Sequence, residues 1–197
     1  MTAKKRKLAR SVSIIGGAMS QFGVFPEKNS RDLMAEAYGE ALESVDRGLD
    51  PQDIDAIYVG NFASELFEGQ GHLGYLMADW LGLAPRPATR VEGACASSGV
   101  AFRQGLMAIA SGMHDVVLVA GVEKMTDVTL DKVQDYLAVA SDVPFEVDQA
   151  AFTFPGIYAA MGSAYMARYG TDRRHLMQVA VKNHQNGALN PKAQFNI

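Results

Sequence analysis

The hydrophobic positions of this chain keep a regular rhythm up to about residue 121 and lose it afterwards. Val12–Gly16 is a short β-branched run closed by Gly16-Gly17, which predicts a strand. Leu33, Ala37, Ala41 and Val45, flanked by Met34, Tyr38 and Leu42, fall on one face at helical spacing. Asn29 or Ser30 is placed to cap that helix. Asp50-Pro51 reads as a cap followed by proline in a first helical turn. Ile54–Val59 predicts a strand stopped by Gly60, and His72–Leu81 a helix ended by Gly82, with Pro85 and Pro87 beyond. Thr89–Val91 is a third strand, Ala96–Ser111 a third helix, and His114–Ala120, within which DVVLVAG begins, a fully apolar strand. Strands alternating with helices predict an α/β layered domain with buried strands.

Beyond Gly121 the period disappears. Residues 126–157 contain FTFPG and read as loop and short helix. Ile157–Tyr169 and Thr171–Asn186 predict two more helices, the second capped by Thr171 and followed by the breaker Asn190-Pro191. The pattern divides the chain into a basic tail (1–11), an α/β core (12–121) and a helical insertion or lid (122–197).

Composition changes this picture little. The 197 residues are 48% hydrophobic and 20% charged, with a formal net charge of −4. That balance argues against a nucleic-acid partner, and Lys4, Lys5, Arg6, Lys7 and Arg10 read as a solvated tail. No charge-free apolar run of about 18 residues is present, so no membrane span is expected. A single cysteine excludes an internal disulfide and fits a reducing cytoplasm. His72, His114, His175 and His184 show no metal-ligand spacing, and no metal site is expected. Gly69-Gln70-Gly71-His72-Leu73-Gly74 fits G-x-G-x-x-G. A dinucleotide site needs those glycines directly after a strand, however, and the preceding strand ends near Gly60. The stretch therefore reads as a glycine-rich loop ahead of a helix, and a nucleotide-dependent oxidoreductase is the minor reading.

The remaining chemistry lies in VEGACASSGVAFRQG, where Cys95 joins a short strand to a helix. Free N–H groups and the helix dipole at such a junction favour a thiolate, the reactive form of the side chain. The same N–H groups can hold an oxyanion on an attacked carbonyl. The helix carries Ala96, Ser97, Ser98, Gly99, Ala101, Gly105, Ala108, Ala110 and Ser111, so it can approach neighbouring backbone closely. Local physics leaves two readings of Cys95, a small buried core residue and a nucleophile.

VEGACASSGVAFRQGLMAIASGMHDVVLVAGVEKMTD resembles the active-site region of thiolases. In that family a small-residue turn presents a nucleophilic cysteine, and a later strand ends in Gly-x-Glu-x-Met, here Gly121-Val122-Glu123-Lys124-Met125. Gly69-Gln70-Gly71 and KNHQNGALNPKAQF also match the family, and FTFPGIYAAMGSAYM is closest to its sterol-carrier-protein and archaeal type. The resemblance runs from about Val12 to Phe195. It implies the N-terminal half of an α/β, thiolase-like layered fold: a mixed sheet, a central buried helix and part of a helical loop domain. It also implies acyl transfer between the Cys95 thiolate and CoA, with a carbon–carbon bond of a 3-ketoacyl-CoA cleaved or formed. Cys95 would then be the nucleophile and its N–H an oxyanion donor, with Met125 near the acyl pocket, while Phe152, Phe154, Pro155 and Tyr158 read from the sequence itself as an apolar lining for a substrate tunnel. CoA is the co-substrate, and no bound cofactor is implied.

The family's Gly-His-Pro and Cys-x-Gly-Gly-Gly turns do not occur in these 197 residues. The resemblance thus implies an N-terminal half that is inactive by itself, ending inside the loop domain. It further implies acyl-CoA and CoA as partners, a homodimer or homotetramer, and for this type a small zinc-ribbon and OB-fold partner. Arg168, Arg173, Arg174 and Lys182 are placed to meet CoA phosphates, though a solvated helix face is the plainer reading. The alternatives are a non-catalytic thiolase-like subunit and a ketoacyl-synthase-like condensing enzyme.

Overall fold

The computed structural model describes residues 8–150 and 153–196. The described chain packs as two units. One comprises residues 8–20 and 26–124, and the other residues 21–25 and 125–196.

The first unit is built on three strands, β1 (Ala56–Gly60), β2 (Ala88–Val91) and β3 (Val117–Gly121). Their order is β2-β1-β3 and both pairings are parallel, with Tyr58 opposite Thr89 on one side and Val119 on the other. The described sheet is therefore all-parallel, where the resemblance had implied a mixed one. Val12–Gly16 forms no strand. It runs as exposed coil, with Ile14 77% and Ile15 53% exposed, and the Gly17 N–H donates to Ser44 Oγ at 2.9 Å. A β-branched run becomes a strand only when a neighbouring edge accepts its backbone, and no described strand does so here.

Parallel strands need cover on both faces. Ile57 and Val59 point to one face of β1 and are fully buried. Met34 of α1 (Ser30–Glu43) and Leu73, Met77 and Ala78 of α3 (Leu73–Trp80) pack with them into one cluster. Each such large side chain contributes roughly 1.5–3 kcal/mol by burial. The alternate position, Tyr58, joins Val117 and Val119 on the opposite face, beneath α4 (Ser97–Ala110). A short α2 (Ser64–Phe67) lies between β1 and α3 in sequence. Asn29 caps α1 in a reciprocal box: its side chain accepts from the Asp32 N–H, and the Asp32 carboxylate accepts from the Asn29 N–H at 3.0 Å. Arg10 is no solvated tail residue. It pairs with Asp115 at 2.7 Å and bonds the carbonyls of Ile109, in the last turn of α4, and of His114, just past it, where a cation is favoured. Lys4, Lys5, Arg6 and Lys7 lie outside the described residues.

The second unit contains α5 (Leu130–Ala138), α6 (Phe154–Tyr169) and α7 (Arg173–Gly187). Helix α6 starts three residues before the predicted Ile157, because Thr153 Oγ1 accepts from the Gly156 N–H at 3.2 Å and Pro155 is tolerated in a first turn. It stops at Gly170, which takes a left-handed φ of 67°. Asp172, not Thr171, caps α7, its carboxylate accepting from the Arg174 N–H at 2.8 Å. The Phe22 N–H donates to the Lys192 carbonyl at 3.0 Å, tying residues 21–25 into this unit. No described helix is long and apolar enough to cross a membrane.

Candidate active site

The turn after β2 is built from small residues. Ala94–Ala96 form one 3-10 turn that runs straight into α4. A helix starting at or just after Cys95 is what the sequence predicts, and the thiol is exposed. Ala94 takes a left-handed φ of 48° without being glycine, at a cost of roughly 1–2 kcal/mol. Four hydrogen bonds offset that cost. The Ala96 N–H donates to the Gly93 carbonyl at 2.9 Å, and the Glu92 carboxylate accepts from the Ala94 N–H. Ser97 Oγ accepts from the Gly93 N–H at 3.0 Å and donates to the Ala94 carbonyl at 2.7 Å. Ser97 is 5% exposed, so its own two bonds are partly shielded from water.

Two glycines let the start of α4 settle onto the sheet. Gly60 and Gly121 end β1 and β3 and are paired in register. A Cβ on Gly60 would sit 2.6 Å from the Ser97 carbonyl carbon and 2.5 Å from Ser98 Cα. A Cβ on Gly121 would overlap the Ser98 hydroxyl. Further along, Gly105 holds α4 against Val117 and Val119, whose methyls would lie 3.2 and 2.7 Å from an added Cβ. The small-residue helix thus brings the Cys95 turn to the carboxyl ends of the parallel strands, the edge at which open α/β sheets place their ligands. One stripe of the helix is buried, at Ser97, Ala101, Gly105 and Ala108, with Ala110 buried apart from it at the C-terminal end, while Phe102 and Met107 are 46% and 44% exposed.

A polar layer supports the same edge. Asn61, 1% exposed, donates from Nδ2 to the Val122 carbonyl at 2.8 Å and accepts from the Ser64 N–H at 3.2 Å. The Glu123 carboxylate accepts from the N–H groups of Phe62 at 2.7 Å and Ala63 at 3.2 Å. Burial pushes the Glu123 carboxyl above its ordinary range, against the lowering effect of those two N–H groups. Arg90 donates to the Phe62 carbonyl at 2.9 Å and pairs with Glu65, whose carboxyl is held low chiefly by that guanidinium. Asn61, Arg90 and Ser97 were not singled out by sequence. The only signal available was a polar residue directly following an apolar strand, as at Asn61. Glu123 was visible as part of the Gly-x-Glu-x-Met turn, without its role.

Cys95 belongs to the first unit, and Met125, Phe154 and Tyr158 to the second. Within the second unit the Phe154 and Tyr158 rings meet edge to face at 5.3 Å on the first turns of α6, which extends the predicted helix back through Phe154, in the stretch read as loop and short helix. Met125 and Phe154 are half-buried and Tyr158 is exposed. Phe152, considered with them as an apolar lining, lies outside the described residues. Arg173, Arg174 and Lys182 are exposed on α7, and Arg168 lies 5.3 Å from the Tyr169 ring. His72 has a left-handed φ of 60° and stacks on Tyr75 at 5.0 Å. Gly74, the last glycine of the G-x-G-x-x-G stretch, is buried where a Cβ would meet the Arg90 nitrogen at 2.8 Å, a helix-to-strand packing role. Among the described residues no three His, Cys, Asp or Glu side chains converge as metal ligands.

Residues 12–197 match the family model described as thiolase, N-terminal domain. The chain is 48% identical over 186 residues to an acetyl-CoA acetyltransferase of Methanothermobacter thermautotrophicus, covering 94% of this chain and 47% of that protein. A protein of the same name from Methanocaldococcus jannaschii is 45% identical, covering 94% and 46%. Sterol carrier protein 2 of Gallus gallus is 27% identical over 199 residues, covering 95% of this chain and 35% of that protein. The chain therefore spans about half the length of its nearer relatives or less.

Proposed function

This chain belongs to the thiolase family, by its N-terminal domain, and from that premise we propose that Cys95 is the nucleophile of an acyl-CoA C-acyltransferase. The observation that carries the reading is an exposed cysteine in a strained, hydrogen-bonded turn where a helix begins at the carboxyl edge of a parallel sheet. The Cys95 thiolate attacks the keto carbonyl of a 3-ketoacyl-CoA, and the oxyanion so formed is held by the Cys95 backbone N–H, the neighbouring N–H groups of the turn being spent on internal bonds. The carbon–carbon bond then breaks. Its electron pair goes to the departing acyl-CoA enolate, which takes up a proton. The acyl group remains on Cys95 as a thioester until a CoA thiolate displaces it, and condensation is the reverse. Splitting one hard step into two through a covalent intermediate is the gain.

The names of the nearer relatives support acetyl as the transferred group. Met125, Phe154 and Tyr158 offer apolar surface suited to an acyl group, and Arg174 and Lys182 offer cations suited to CoA phosphates. The base that activates CoA and the acid that protonates the enolate are supplied from outside these 197 residues, so the chain alone does not turn over. A cytoplasmic homo-oligomer, with a small zinc-ribbon and OB-fold partner, completes the reading. It rests on family resemblance and on a single free cysteine.

The test is chemical. Cys95 should be alkylated by iodoacetamide at about pH 7 faster than a free model thiol, and acetoacetyl-CoA should slow that reaction. A slow thiol that acyl-CoA leaves unprotected overturns the reading in favour of a non-catalytic thiolase-like subunit. Thiolysis by the 197-residue chain alone would overturn the assignment of the acid and base to residues outside it.

A further inference from the structure

We infer that Ser97 is a positioning residue for Cys95, setting the turn that presents the thiol through a hydroxyl bonded on both sides. The inference rests on the reading of Cys95 as nucleophile and extends it to a side chain outside the reacting groups. Three observations support it. Ser97 lies two residues after Cys95, is 5% exposed, and spends its hydroxyl on the turn, accepting from the Gly93 N–H and donating to the Ala94 carbonyl. Ala94, the residue it bonds, is held at a left-handed φ of 48°, a conformation that non-glycine residues keep only where surrounding bonds impose it. Finally, the backbone does not need the hydroxyl to form the helix. The Ser97 N–H already donates to the Ala94 carbonyl, and the Ala96 N–H to that of Gly93. What the hydroxyl adds is the tie to the Gly93 N–H, closing a ring around the residues that precede the thiol. Without it that N–H loses its partner, and the turn can relax toward the ordinary right-handed form, carrying the Cys95 side chain with it.

The same helix provides a control. Ser111 Oγ donates to the Ala108 carbonyl at 2.9 Å, the same backward bond at the opposite end of α4. The experiment compares Ser97→Ala and Ser111→Ala with the unmodified protein by the rate of Cys95 alkylation with iodoacetamide from about pH 6 to pH 9, alongside thermal unfolding. Ser97→Ala should slow alkylation about tenfold near pH 7, out of proportion to any fall in its unfolding midpoint. Ser111→Ala should leave the profile unchanged. If Ser97→Ala follows the profile of the unmodified protein, or if both variants slow the reaction alike, the positioning role is overturned while Cys95 stands as nucleophile. If Cys95 in the unmodified protein reacts no faster than a model thiol, the nucleophile reading fails and the positioning role falls with it.

Discussion

Residues 26–124 bury Ile57, Val59, Leu73 and Met77 completely, whereas among the described residues 125–196 only Ala138 is buried. Both stretches form well-capped helices. Asn29 closes a capping box on α1, and Asp172 closes one on α7. The two helices differ in what lies beneath them. Met34 of α1 enters the cluster under the sheet, while Leu176, Met177, Val179 and Val181 of α7 are 52–59% exposed. Capping marks where a helix starts and stops and is worth about 1 kcal/mol. Burial of an apolar face supplies most helical stability in proteins. The first region obtains that burial from its own sheet. The second has the local signals without an internal core.

Substitutions can break this contrast. The largest effect is expected at Gly60, because an added methyl would press on the backbone of α4. Gly60→Ala should cost more than about 4 kcal/mol in urea unfolding, and a tolerated alanine would mean that α4 does not rest on β1. Ile57→Ala, at a fully buried position, should cost about 2–4 kcal/mol by the same measurement. Glu123, close to the end of the first region, should show its effect as a pH dependence. Its folded carboxyl lies above the ordinary 4.5, so the folded state binds more protons than the unfolded chain just above that value. Its contribution is full below the unfolded value and is lost as pH rises through the folded one. Glu123→Gln should therefore flatten that decline relative to the unmodified protein, and an unchanged pH profile would remove Glu123 as its source. The smallest effect is expected on α7, where Leu176→Ala should change stability by less than about 0.5 kcal/mol. A cost matching that of Ile57→Ala would show that this face is covered in solution.

Much of the architecture was legible because its causes are local. The cap at Asn29, the buried alternation around Ile57 and the helix beginning beside Cys95 each follow from residues within one or two turns of each other. The misreadings arose where a local signal admits two outcomes. Val12–Gly16 has strand composition, yet no described strand pairs with it. Pro155 suggested a loop, although proline is at home in the first turn of α6. Thr171 and Asp172 are both good caps, and only the backbone chooses between them. In the candidate site, Cys95 was visible as a lone thiol among small residues, and the family motif made it specific. The partners that shape the site were hidden by distance in sequence, since Glu123 bonds Phe62 and Ala63, and Asn61 bonds Val122.

By itself, then, the sequence determined the α/β alternation, the positions of most helix ends and the family, and it singled out Cys95 as the candidate for the chemistry. These are matters of periodicity, capping and residue type, readable within short windows. Only the tertiary structure decided that the described strands are all parallel, that Gly60 and Gly121 act together as the seat of α4, and that the Ser97 hydroxyl faces Gly93 and Ala94 rather than solvent. Those outcomes depend on which surfaces meet. A close approach or a shielded hydrogen bond acquires its energy only once the chain has brought both partners together.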